Sequence, residues 1–160
     1  MLFRSLTADA VVPAWLDGCS WLHVPAYSLT VEPIGRAALA AVAAARDRAV
    51  RVSLDLSSTA AVSQFGVAAF RDLVRQVRPD VVFGNKAETD LVGDLPGIDV
   101  ISKLGAEGVV AGGRRYPASR TEPIDATGAG DAFAAGYLVG GVALGLTAAG
   151  RAVARIGGMP

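Results

Sequence analysis

An α/β fold built on a mostly parallel sheet is what this sequence predicts, and three observations predict it. Short apolar runs alternate with longer segments of helical period, the order of a sheet whose strands are joined by helices. Over 160 residues, 52% are hydrophobic and only 19% charged, which argues for a real core and against disorder. The last third opens, after a proline-containing loop, into a long segment of small apolar residues that reads as a helix packed in the interior.

The elements follow in order along the chain. Trp21-Leu22-His23-Val24 reads as a buried strand closed by Pro25. Ile34, Ala37, Ala38, Ala41, Val42 and Ala45 recur at three- and four-residue spacing, which predicts an amphipathic helix with Pro33 near its first turn. Val50 to Leu54 is the next strand and ends at Asp55, and residues from about 60 to 77 read as one helix with Arg71, Asp72, Arg75 and Gln76 on its wet side. Val81-Val82-Phe83 and Val100 to Leu104 are further strands. Val109-Val110-Ala111 before Gly112-Gly113 predicts a hairpin with the run around Tyr116. The segment from Ala132 to Gly150 carries no charge and predicts two buried helices joined near Gly145, with Gly140-Gly141 as a further break.

Bulk properties narrow the function. Fifteen basic and fifteen acidic side chains cancel, so no basic surface calls for nucleic acid or an anionic membrane. Cys19 is the single cysteine, which rules out an intrachain disulfide or a thiolate metal cluster and favours a reducing, cytoplasmic setting. The start carries Arg4 and Asp9 without an uninterrupted apolar core, so no secretory signal is expected. The glycines within residues 132–150 argue against a spanning helix, and no membrane partner is expected.

The chemistry concentrates in Asp125-Ala126-Thr127-Gly128-Ala129-Gly130-Asp131-Ala132-Phe133. Gly128, Ala129 and Gly130 let a backbone approach a ligand, and a helix N-terminus presents unpaired N–H donors and partial positive charge. Asp131 follows where a carboxylate can take a proton from an attacking hydroxyl. An anion cradle and a base within four residues is the layout of a phosphoryl-transfer site. Ligands in open parallel sheets bind at the carboxyl ends of strands. The residues after Phe83, those after Leu104 and this helix start therefore fall at one expected site.

Two further constellations lie at those strand ends. Asn85 and Glu88, three apart, form either a cap of the capping-box type or an oxygen pair for water-ligated Mg²⁺, and both roles can hold together. In Lys103-Leu104-Gly105-Ala106-Glu107-Gly108, two glycines flank a turn that can approach an adenine or ribose, and Lys103 either meets a phosphate or is solvated. His23, inside an apolar run, reads as a core or strand-end histidine. Asp55 either lines the site or caps the Ser57-Ser58 turn, and Arg114 and Arg115 read as solvated hairpin residues.

The run from Asp125 to Phe133 resembles the C-terminal signature of the PfkB (ribokinase-like) carbohydrate kinases, Asp-Thr-Thr-Gly-Ala-Gly-Asp-x-Phe, with Ala126 in place of the first threonine. Asn85-x-x-Glu88 resembles that family's phosphate- and magnesium-positioning motif, and the loop from Lys103 to Gly108 its nucleotide-site loop. The resemblance implies a three-layer α/β/α ribokinase-like fold, truncated on its N-terminal side. Residues 1–160 would then be the C-terminal part of a kinase domain, without the half that carries the Gly-Gly signature, the lid and most sugar contacts. The segment from Ile156 to Pro160 would approach the family's final helix.

It further implies ATP-dependent phosphoryl transfer to a sugar or sugar-like hydroxyl. Asp131 would be the base and Gly128, Ala129 and Gly130 the anion hole. Lys103, Gly105, Glu107, Gly108, Thr127 and Asn85 would border the nucleotide. Asn85 and Glu88 would hold Mg²⁺ through water, and Asp125 a monovalent cation such as K⁺. Two alternatives stay open: a catalytically inactive remnant that binds nucleotide or another subunit, and a homodimer that covers an exposed sheet edge with a second copy.

Overall fold

The computed structural model describes residues 6–119 and 121–157. The expectations for the extreme N-terminus and for residues 158–160 lie outside these. The chain divides into two compact units, Met1–Val100 and Ile101–Pro160.

The first unit is built on three parallel strands, β1 (Trp21–Pro25), β2 (Arg51–Asp55) and β3 (Val81–Asn85). Trp21 pairs with Arg51 and Pro25 with Asp55, while Ser53 pairs with Val81 and Asp55 with Phe83. β2 and β3 are buried along most of their length, as apolar strands covered on both faces must be. Helices α1 (Tyr27–Thr30), α2 (Ile34–Asp47), α3 (Thr59–Phe65) and α4 (Val67–Val77) supply the rest of the core. Val52, Leu54, Val62, Phe70, Val74 and Val82 are fully enclosed there.

Asp80 ties the start of β3 to β2. Its carboxylate accepts the Val52 N–H at 2.7 Å and a hydrogen bond from Arg46 at 3.1 Å.

Two local outcomes differ from the sequence expectation. The helix expected over about 60–77 is two, α3 and α4, separated at Gly66, whose φ of 96° is closed to most side chains. Ser58 caps α3 by accepting the Ala61 N–H at 3.3 Å. His23 is exposed on β1, with Nδ1 2.8 Å from the Ser53 hydroxyl, so it is a strand histidine rather than a core one. α5 (Lys86–Val92) follows β3 directly.

The second unit begins in β4 (Asp99–Lys103), which pairs antiparallel with β5 (Val109–Ala111), itself paired with β6 (Arg114–Tyr116). Gly112 and Gly113 join β5 to β6 with φ of 55° and 73°, the positive values a two-residue hairpin turn requires. α6 (Ala129–Val153) closes the unit. It is long and apolar enough, by length and composition, to cross a membrane. It is also broken: Gly140 (φ −147°, ψ 23°) and Gly141 (φ 73°, ψ −166°) leave the helix and turn the chain back. Each half falls well short of the roughly 20 residues a straight spanning helix needs.

The join is thus at Gly140–Gly141 and not at Gly145. Gly145 sits inside the second half, where a Cβ would lie 2.8 Å from the Phe133 ring. Gly136 likewise backs onto Leu144, Gly145 and Ala148. These small residues form the seam along which the two halves lie antiparallel. Burial is confined to Phe133, Ala134, Gly136 and Gly145, so the expectation of two buried helices is corrected to a hairpin buried at its seam. Val139, next to the turn, is 84% exposed.

Candidate active site

The first unit carries the Asn85–Glu88 pair. Asn85 is the N-cap of α5: its side-chain oxygen accepts the Glu88 N–H at 2.9 Å, and Glu88 Oε2 accepts the Asn85 N–H at 2.8 Å. Both halves of a capping box are therefore present. Glu88 is only 6% exposed, and the cap satisfies one of its two oxygens. No cluster of three or more histidine, cysteine or acidic side chains suited to a metal occurs among the described residues. That donor set fits an ion held through water better than one ligated directly.

A cavity of about 580 Å³ lies farther along the same unit, lined by Thr89, Asp90, Gly93, Asp94 and Leu95 among others. Its charged lining residues are the acids Asp90 and Asp94, a poor environment for phosphate.

In the second unit, the loop after β4 closes on itself. Leu104 donates its N–H to the Gly108 carbonyl at 2.8 Å, and Gly108 donates to Gly105 at 3.0 Å. Gly105 (φ 60°) faces open space. Gly108 is glycine for another reason: a Cβ there would lie 1.9 Å from the Tyr116 carbonyl oxygen. Glu107 is exposed and ion-paired with Arg115, so Arg115 is not simply solvated. Lys103 reaches toward the helix start, its Nζ 3.3 Å from where a Cβ on Gly130 would be.

That helix start is built from the sequence upward. Gly128 is the N-cap of α6 in the left-handed conformation (φ 75°), Ala129 begins the helix, and Asp131 stands in its first turn. The Ala129 N–H is already used, donating to Ala126 at 3.2 Å, and Ala132 donates to Gly128 at 2.9 Å. Gly128, Gly130 and Asp131 keep N–H groups without a hydrogen-bond acceptor among the described residues. Of the Gly128–Gly130 set, the Ala129 N–H is therefore spent within the turn, and the Asp131 N–H stands open in addition.

Asp125 stitches the loop in front of the helix. Its Oδ1 accepts the Thr127 N–H at 2.8 Å and its Oδ2 the Gly157 N–H at 2.9 Å. Hydrogen bonds from the Thr127 side chain and backbone, then from Gly157, hold its carboxyl below the usual carboxylate range. Ile124 also donates to the Val153 carbonyl at 2.7 Å, which fixes the helix start to the end of the same hairpin.

Asp131 opens into a cavity of about 540 Å³ that it shares with Gly128, Ala132, Ala148, Arg151 and Arg155. Arg151, Arg155 and Gly157 were not singled out by the sequence. The signal was present: Arg151 is the first charge after Asp131, at the far end of the charge-free run.

No protein-family model matches the chain. Solved structures do. Adenosine kinase from Sinorhizobium meliloti superposes with a TM-score of 0.83 at 25% identity, over 98% of this chain and 56% of that one. A fructokinase double mutant from Vibrio cholerae O395, bound to fructose, ADP and potassium ion, gives 0.74 at 24% identity over 98% and 60%. An E. coli protein assigned as ribokinase II, in complex with ATP and Mg²⁺, gives 0.77 at 21% identity over 96% and 58%. The chain spans little more than half the length of the structures it matches. Six strands, mostly parallel, with flanking helices give this chain the ribokinase-like α/β fold of the PfkB sugar kinases, and it matches a part of such a kinase.

Proposed function

We propose that this chain carries the phosphoryl-transfer part of an ATP-dependent kinase acting on a hydroxyl of a sugar or sugar-like molecule. The observation that carries the reading is the start of α6. Asp131 stands in its first turn beside unspent N–H donors, and it borders one cavity together with Gly128. Asp131 takes the proton of the acceptor hydroxyl as that oxygen attacks the γ-phosphorus in line. The N–H groups of Gly128 and Gly130, with that of Asp131 itself, stabilise charge on the transferred group. Lys103, held near Gly130, adds positive charge where the phosphates lie.

Asn85 and Glu88 would position Mg²⁺ through water, and Mg²⁺ would neutralise the phosphate oxygens when bound. The loop from Gly105 to Gly108 borders the nucleotide, and Asp125 with Thr127 offers a place for K⁺. Neighbours with ATP and Mg²⁺, or with ADP and potassium, support this choice of partners. A cytosolic location follows from the donor, and no nucleic acid is needed by the reaction.

The test is Asp131→Asn in the full chain, with turnover and ATP affinity measured side by side. Turnover should fall by about 10²–10⁴-fold, the usual worth of a positioned base, while ATP affinity changes little. Turnover within a few-fold of the parent sinks the assignment of Asp131.

A second reading is favoured by the coverage of the matched structures: a nucleotide-binding remnant or subunit that catalyses nothing alone, since transfer depends on positioning the acceptor. Sugar-dependent ADP production by the purified chain decides against it.

A further inference from the structure

The segment that follows α6 returns to the loop in front of its start. The Val153 carbonyl accepts the Ile124 N–H at 2.7 Å and the Asp125 N–H at 3.2 Å. Farther on, the Gly157 N–H donates to Asp125 Oδ2 at 2.9 Å, across 32 positions of sequence. Asp125 passes the hold forward, because its other oxygen accepts the Thr127 N–H at 2.8 Å. Thr127 directly precedes Gly128, the left-handed N-cap from which α6 begins. One carboxylate thus joins the backbone after α6 to the backbone before it.

Ending the helix does not call for this bond. The groups left over at a helix C-terminus are carbonyls, whereas Gly157 offers an N–H. Nor does crowding call for glycine at this position, since a Cβ there would meet nothing within 4 Å. What the position demands is a φ of 89°, which a residue with a side chain adopts only under strain. The glycine therefore serves the path of the backbone, and that path brings its N–H to Asp125. Gly157 also borders the cavity into which Asp131 opens.

We infer that Gly157 is a positioning residue. Acting through Asp125, it clasps the loop from Asp125 to Gly128 and so holds the donors at the start of α6 in place. The consequence for nucleotide binding rests on the phosphoryl-transfer reading of the Asp131 site; the clasp itself does not.

The experiment compares Gly157→Ala with Gly113→Ala in the full chain. Gly113, in the β5–β6 turn, has a φ of 73° and the same open space for a Cβ, so alanine brings comparable strain outside the clasp. Amide hydrogen exchange is followed by NMR, and Mg·ATP binding by calorimetry. Exchange at the Thr127 N–H should become about tenfold faster in Gly157→Ala and stay at the parent's rate in Gly113→Ala. Mg·ATP should bind several-fold more weakly to Gly157→Ala alone, because a smaller fraction of the chain holds the binding conformation.

Thr127 exchange within twofold of the parent in Gly157→Ala, or equally faster in Gly113→Ala, overturns the inference. Faster exchange with unchanged Mg·ATP affinity overturns the positioning role. A parent that binds no Mg·ATP removes the phosphoryl-transfer reading instead, and the exchange rates then decide the clasp by themselves.

Discussion

Replacing Gly136 by alanine puts a methyl group into the seam of the α6 hairpin. The added Cβ would lie 2.8 Å from the Leu144 carbonyl oxygen, 2.9 Å from Gly145 Cα and 3.0 Å from Ala148 Cβ. Two of these are backbone atoms, so relief requires the two halves of α6 to move apart. Alanine gains about 1 kcal/mol of helix propensity over glycine. Overpacking a tight site costs about 1–3 kcal/mol, and a rigid backbone wall puts this site at the upper end. The net expectation is destabilisation by about 1–2 kcal/mol, or a fall of several degrees in Tm for a chain of this size.

Gly140→Ala is the control. Its Cβ would meet the Leu144 side chain, with Cδ2 at 2.8 Å, and Leu144 is 41% exposed and free to turn away. Thermal and urea unfolding of both variants should show a clear loss for Gly136→Ala and little for Gly140→Ala. Because Gly136 also lines the Asp131 cavity, the first variant should bind ATP more weakly. Gly136→Ala as stable as the parent refutes the tight seam, since the propensity gain would then be unopposed.

Two more perturbations probe the loops that carry the candidate site. Asn85→Ala removes the acceptor of the Glu88 N–H and should cost about 1 kcal/mol in urea unfolding, with a loss of Mg²⁺-dependent ATP binding if the same pair positions the ion. Asp125→Asn should lower Tm at pH 7, because an amide cannot accept from both Thr127 and Gly157 as the carboxylate does. The folded carboxyl of Asp125 is depressed, so its stabilisation is full above its ordinary range and lost as pH falls through the folded value. The gap between parent and variant should therefore close on acidification below about pH 4, in melts followed across pH.

Much of the molecule is legible in short stretches of chain. The strand at Val81-Val82-Phe83, the Asn85–Glu88 box, the Gly112-Gly113 turn and the Gly128–Asp131 helix start each depend on residues within about one turn or one hairpin of each other. Backbone conformation and capping are decided at that range. Hence the amino-acid order alone is enough to place both candidate constellations.

What the tertiary structure alone decided are contacts across long stretches of chain. Gly108 reads as a ligand-facing glycine, and only the position of the Tyr116 carbonyl shows why no side chain fits there. The pairing of Glu107 with Arg115 appears only once the β5–β6 hairpin brings the two side chains together. Arg151 and Arg155 lie at the far end of a charge-free helix in sequence, yet they share a cavity with Asp131. The chain reversal at Gly140–Gly141 puts them there, because a seam of glycine and alanine lets two helices approach closely enough to bring one end of the hairpin to the other.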